Sequence, residues 1–254
     1  MLLCFIQLAL SINLDDGLVC HYKFQNNLAD SLGNCLNLET IDSPSYSYNQ
    51  NGLSWTSGNA RGSGFLLKGP SNYPDILKKY SIGMRIKYPS ATGYRKIVDF
   101  KSRSTDHGLY YYSDDIRFYP YASYITVPKN TFIDVIFSCD TTIQKNSIFI
   151  IQNGLVVGVA NNTDTSIYCK PNDSGGRPLY NLLVDDQATS SEATKSGEIS
   201  YIKIWINSFI GESLQLTPMR TPLETPKATY KKTNNKSINQ KHKVFVLLYL
   251  SFYL

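Results

Sequence analysis

The stretch from Lys96 to Ala122, KIVDFKSRSTDHGLYYYSDDIRFYPYA, sets narrow limits on the fold open to this chain. Three short runs of aromatic and β-branched residues alternate with segments of Ser, Asp, Gly and Pro. Such runs suit a pleated, half-buried surface, and the residues between them are those that turn a backbone. The connections are short enough to join antiparallel neighbours.

The pattern continues on both sides. In YSIGMRIKY, Ile82, Met84 and Ile86 share one face while Arg85 and Lys87 take the other, the period of a half-buried strand. FIDVIFSC, SIFIIQ and LVVGVA follow from Phe132, Ser147 and Leu155, and Asn153-Gly154 between the last two signals a hairpin. Asn51-Gly52 is a second tight-turn signal. Further strands are expected at GLVCHYKF from Gly17, CLNLET from Cys35, Phe65 to Leu67, SIYC from Ser166 and LYNLLV from Leu179. In the last run, GEISYIKIWIN, Ile202, Ile204 and Ile206 face one way while Tyr201, Lys203 and Trp205 face the other. A strand apolar on both sides belongs in the middle of a sheet. No amphipathic helical period interrupts the series. An all-β, two-sheet antiparallel jelly-roll sandwich over residues 17–210 follows, with short terminal tails. Trp55 and His21 are expected to pack rather than to bind.

The net charge of +5 hints at an anionic partner until it is located. Seven Lys or Arg stand between Pro218 and Lys243 against Glu224 alone, which leaves 18 basic and 19 acidic residues elsewhere. No basic field steers nucleic acid to the body of the chain. Residues 217–243 read as a flexible basic stalk. Residues 1–12, MLLCFIQLALSI, are too few to span a bilayer and read as a signal peptide, with Ala9 and Ser11 before a cleavage point. Residues 244–254, VFVLLYLSFYL, form a short hydrophobic tail that fits a lipid-anchor attachment signal. The expected location is therefore secreted or at the cell surface.

Removal of Cys4 with the leader leaves Cys20, Cys35, Cys139 and Cys169, enough for two disulfides in three pairings. Pairing of near neighbours, Cys20 with Cys35 and Cys139 with Cys169, is expected, although Cys139 also reads as a buried thiol on an apolar strand face. Acceptor triplets for N-glycosylation occur at Asn161, Asn172 and Asn235.

Catalytic patterns are missing. The Glu residues stand at 39, 192, 198, 212 and 224, none two places before an Asp, and His21, His107 and His242 lie far apart without a zinc spacing. No G-x-S-x-G, phosphate-binding glycine loop or H-E-x-x-H occurs. Two binding chemistries remain. Asp106, Asp114 and Asp115, with Asp164 or Asp185 and Asp186, supply the oxygen ligands calcium prefers, though Asp is also common in turns for backbone reasons. Tyr110, Tyr111, Tyr112, Tyr119, Tyr121 and Tyr124, with Asp106 and His107 beside them, offer rings and hydroxyls to a sugar, though alternating Tyr is also a core pattern.

The opening GLVCHYKFQNNLADSLGN, the strand-turn-strand segment IFIIQNGLVVG and the closing GEISYIKIWINSF resemble, in that order, motifs of laminin G-like domains of the concanavalin A-like lectin/glucanase superfamily. The stretch YRKIVDFKSRSTDHGLYYYSDDIRFYP is similar to a branch found in secreted bacterial proteins. That resemblance spans about residues 17–210 and implies a jelly roll. It leaves function open, because the superfamily holds lectins, calcium-dependent adhesion modules and glycoside hydrolases. The hydrolase pattern E-x-D-x-x-E is missing. The expectation is a secreted or surface-anchored, non-catalytic recognition module for a glycan or an extracellular protein. A glycoside hydrolase with dispersed carboxylates and a structural or adhesion coat domain are the alternatives.

Overall fold

The short alternating runs pair into two antiparallel sheets of eight strands each, in a computed structural model that describes residues 14–56, 62–89, 93–189, 192 and 195–210. The first sheet runs β13 (Leu155–Thr163), β12 (Lys145–Gln152), β11 (Ile133–Asp140), β6 (Lys79–Lys87), β16 (Ser196–Trp205), β4 (Gly52–Thr56), β3 (Ser45–Asn49), with β1 (Leu18–Tyr22) also on β16. The second runs β10 (Tyr124–Thr126), β9 (Asp115–Tyr119), β8 (Gly108–Tyr112), β7 (Tyr94–Asp99), β15 (Pro178–Leu182), β5 (Gly64–Lys68), β2 (Glu39–Ile41), with β14 (Asn172–Asp173) also on β15. A single 3-10 turn, Pro74–Leu77, is the helical element of the described residues, and none of their helices is long and apolar enough to cross a membrane. The expected leader, stalk, tail and Asn235 lie outside the described residues.

The strand expected to be central is central. β16 pairs with β6 along one edge, while its other edge is shared by β4 at Ser196–Ile199 and β1 at Ile202–Trp205. Ile202 and Ile204 enter the core between the sheets, where they join Ile82, Met84, Val135 and Phe137. Phe65, Leu109, Tyr111, Ile116, Phe118 and Tyr180 come down from the second sheet into the same core. Trp205 faces the other way, into a smaller cluster with Ile136, Phe149, Ile151 and Phe209, and its indole N–H donates to the Leu14 carbonyl at 2.6 Å. A strand with apolar residues on both faces thus serves two apolar clusters. Trp55 is buried, edge-on to Tyr88 at 5.9 Å.

The two disulfides join Cys20 to Cys35 and Cys139 to Cys169, with Cα atoms 5.8 and 5.9 Å apart. An aspartate stands five residues before the second cysteine of each. Asp30 accepts the N–H groups of Asn34 at 2.8 Å and Cys35 at 2.9 Å. Asp164 likewise accepts those of Tyr168 and Cys169, both at 2.9 Å. The spacing D-x-x-x-x-C therefore fixes one compact loop twice, because a carboxylate so placed caps amides that a sheet would otherwise have to bond. This is why SIYC, expected to be a strand, is a turn: its amides are taken by Asp164, Ile167 has φ 48°, and Cys169 is bonded to Cys139.

Four of the described strands went unread: β3, β4, β10 and the two-residue β14. β3 and β4 form a hairpin in which Asn49 pairs with Gly52. The Asn51-Gly52 signal marks that hairpin, but its Ser, Tyr and Asn residues hide the strand period. Gly52 has φ 126°, and a Cβ there would lie 2.3 Å from the Ile199 carbonyl oxygen, so only glycine fits. β10 has three residues, below the length a periodic pattern needs.

Candidate ligand-binding face

Strand pleat sorts the tyrosines of β7, β8 and β9. Tyr94 lies opposite Tyr112, Lys96 opposite Tyr110, and Tyr110 in turn opposite Arg117. Leu109, Tyr111, Ile116 and Phe118 point inward, so Tyr94, Lys96, Tyr110, Tyr112, Arg117 and Tyr119 stand on the outer face of the second sheet. That face has two zones, one closed and one open.

The closed zone surrounds Lys96, whose side chain has no solvent exposure. Its ammonium lies 2.5 Å from Asp186 Oδ2, 3.2 Å from Asp99 Oδ2 and 3.2 Å from the Thr105 carbonyl. The ring of Tyr110 approaches it to 5.2 Å. Burial pushes the Asp186 carboxyl up, but the Lys96 bond and the amides of Ala188 and Thr189 outweigh this and hold it below the usual range. Tyr110 is itself fully buried, and its hydroxyl lies 2.9 Å from both the carbonyl and the carboxylate of Asp106. Its ring is not offered to a ligand. Asp106, Asp186 and Glu192 place carboxylate oxygens within 4.8 Å of one another. Burial, the Asp106 charge and a hydrogen bond to Asp106 push the Glu192 carboxyl up to about 7.

Of the carboxylates expected from sequence to suit calcium, the structure brings Asp106 and Asp186 together, with Glu192, but not Asp106 with Asp114 and Asp115. Asp106 precedes β8 and Asp114 follows it, so the two stand at opposite ends of a five-residue strand, roughly 13 Å of backbone. Asp114 accepts the Tyr111 hydroxyl at 2.6 Å and pairs with Lys129 at 2.9 Å. Asp115 pairs with Arg117 at 3.0 Å and accepts the Thr126 hydroxyl at 2.8 Å. Asp164 serves the loop of Cys169 and accepts the Tyr121 hydroxyl at 2.6 Å. Asp114, Asp115 and Asp164 are engaged by side chains of the protein, and Asp186 by the Lys96 ammonium.

The open zone lies beside it. Tyr94 and Tyr112 are 4.2 Å apart by ring centroid, and Tyr119 stands 5.9 Å from Tyr94. The Arg117 guanidinium lies 4.5 Å from the Tyr112 ring, 5.0 Å from Tyr124 and 6.0 Å from Tyr94. Tyr94, Tyr112 and Tyr119 are half-buried, and Tyr124 is 55% exposed. Three rings around one guanidinium, with Tyr119 beside Tyr94, make a partly exposed aromatic surface. Of the expected ligand residues, Tyr112, Tyr119 and Tyr124 belong to it. His107 adjoins it, 6.4 Å from Tyr119, with its ring stacked 3.6 Å from Tyr168. Burial, above all, holds the His107 imidazole below its usual pKa. Tyr121 packs on Phe118 at 5.8 Å and is bonded to Asp164, at the side of the core. Tyr94 and Arg117 were missed. Their membership rests on cross-strand register, which no local pattern carries.

A groove of about 370 Å³ opens on the first sheet, lined by Lys23, Gln25, Asn26, Asn49, Gln50 and Asn51 among others. It offers hydrogen-bonding groups without an exposed ring. Asn161 is exposed on β13 and Asn172 half-buried on β14.

No family model matches this chain, and no curated protein does. Solved structures do share its fold. The binding domain of botulinum neurotoxin DC in complex with rat synaptotagmin II superposes with a TM-score of 0.54 at 13% identity, over 77% of this chain and 49% of that one. A botulinum neurotoxin type C structure, described for cell entry through two ganglioside molecules, gives 0.54 at 14% identity, over 77% and 49%. The same toxin DC domain in complex with SialylT gives 0.53 at 13% identity, again over 77% and 49%. The chain spans about half the length of these toxin domains. At such identities the likeness establishes a shared two-sheet antiparallel sandwich.

Proposed function

We propose that this protein is a non-catalytic recognition module of the cell exterior that binds glycan on the tyrosine face of its second sheet. The observation that carries this reading is the set Tyr94, Tyr112 and Tyr124 around Arg117, with Tyr119 beside Tyr94, aromatic and still partly open to solvent. A pyranose presents an apolar C–H face to such rings while its hydroxyls meet phenolic oxygens at the margin. Two disulfides support an oxidising location. Toxin domains of the same fold that take ganglioside and synaptotagmin II support a binding role for such a sandwich, without placing the ligand. The order of motifs in residues 17–210 supports a laminin G-like branch of this architecture.

The test is a glycan array probed with the full chain, followed by titration of the strongest hit against Tyr124→Ala and Tyr112→Ala. Tyr124 is exposed, so its truncation should leave the melting temperature unchanged while weakening binding about tenfold, the worth of one aromatic contact at about 1.4 kcal/mol. Undiminished affinity in both variants would place the ligand elsewhere, the amide groove of the first sheet being the next surface to mutate.

A further inference from the structure

The charges around the tyrosine face are already spent, and this bears on the kind of glycan it accepts. Arg117 is the cation at its centre. Its Nη2 lies 3.0 Å from Asp115 Oδ2, and the side chain is only 18% exposed. Tyr112 and Tyr124 crowd the guanidinium at 4.5 and 5.0 Å. Asp115 is itself fixed by the Thr126 hydroxyl at 2.8 Å, so the pair is held from both ends. An acidic sugar would meet a guanidinium whose charge is already neutralised by a carboxylate that is covalently part of the site.

The neighbouring cations are no freer. Lys129 is paired with Asp114 at 2.9 Å. Arg95 is folded onto the Tyr94 carbonyl at 2.7 Å. Lys101 reaches the Lys170 carbonyl at 2.8 Å, and Arg103 pairs with Asp42 at 3.2 Å. Lys96 is enclosed with Asp99 and Asp186. Asp106, Asp185 and Glu192 stand around it as well, so the closed zone beside the tyrosines has more carboxyl groups than ammonium groups. The field across the tyrosine face is neutral at Arg117 and negative toward Asp106, which repels an anion.

We propose that the tyrosine face selects uncharged glycans and rejects acidic ones, because Asp115 already neutralises the cation at its centre and the carboxylates around Asp106 lie beside it. The proposal rests on the reading of this face as the glycan platform. It names Asp115 as the residue that sets specificity and Arg117 as a spacer between rings.

The test compares neutral hexose- and N-acetylhexosamine-terminated oligosaccharides with the same chains capped by sialic acid or a uronic acid, titrated against the full protein at low salt. The wild type should bind the neutral members at least tenfold more tightly. Asp115→Asn keeps the shape and the Thr126 contact but frees the guanidinium, and it should narrow or reverse that ratio by gaining affinity for the acidic members. Asp115→Glu should keep the neutral preference. Equal or tighter binding of the acidic glycans by the wild type would overturn the proposal and leave the platform standing. Binding of no glycan of either kind would remove the platform itself. The wild-type ratio decides the matter even if Asp115→Asn fails to fold.

Discussion

Lys96 Nζ lies 2.5 Å from Asp186 Oδ2, across 90 residues of sequence, with neither side chain exposed to solvent. The bond pins the loop after β15 to the middle of β7, and Asp99 and the Thr105 carbonyl complete the ammonium's partners. A buried ion pair is seldom worth more than an apolar replacement of both members, but removal of one member leaves a buried charge without compensation. Lys96→Met should therefore cost about 3–5 kcal/mol in urea denaturation. The double variant Lys96→Met, Asp186→Asn should cost less than the sum of its parts, since the second change removes the stranded charge. Simple additivity would show that the two groups do not stabilise one another.

Two titrations oppose each other in mildly acidic solution. Burial, then Asp106, raises the Glu192 carboxyl from 4.5 to about 7. Between these values the folded state holds a proton that the unfolded state has released, so this group's contribution is present below pH 4.5 and fades as pH rises toward 7. Burial, then Lys203 and Lys23, lowers the His21 imidazole from 6.5 to about 4. Here the unfolded state holds the extra proton, so the contribution is present above pH 6.5 and is lost as pH falls toward 4. The wild type should thus show a shallow stability profile from pH 4.5 to 6.5. Glu192→Gln should make stability rise with pH across that window, and His21→Gln should make it fall. Parallel profiles for all three proteins in a pH series of urea melts would contradict both assignments.

The fold was legible because its signals are local. Ile82, Met84 and Ile86 announce β6 by period alone, Asn153-Gly154 marks the β12–β13 hairpin, and the two-sided β16 names its own central position. SIYC failed for a reason that is also local, since a carboxylate four residues upstream of Tyr168 competes for the amides a strand would use. The candidate face was only half legible. Tyr112 and Tyr119 stand out as aromatic residues in a strand-loop-strand run, but alternation cannot tell which face is closed. Tyr110 shares that face and is sealed by Asp106 and Lys96, contacts made by loops that sequence does not place. Asp106, Asp114 and Asp115 look like one acidic group because they are close in sequence. Five residues of extended strand hold the first apart from the other two.

Asp30 and Asp164 do for the two disulfide loops what neither disulfide does alone. Each carboxylate caps the amide of the bonded cysteine and of the residue before it. Asp30 also accepts the N–H of His21 at 2.7 Å, and Asp164 the Tyr121 hydroxyl at 2.6 Å. Replacement by alanine strands several donors at once, each at a cost of about 1–3 kcal/mol where it is buried. Asp164→Ala should lower the stability of the oxidised protein by about 3 kcal/mol, comparable to the loss expected from the paired change Cys139→Ala, Cys169→Ala. Both changes act on the same turn, in which Tyr168 is held against His107. Combined, they should therefore cost less than the sum of the two, because a loop released once has little left to lose. Guanidine denaturation of the three variants, with His107 followed by its proton resonances, checks this. Full additivity, or a His107 signal unmoved by Asp164→Ala, would mean that the carboxylate and the disulfide hold different structures.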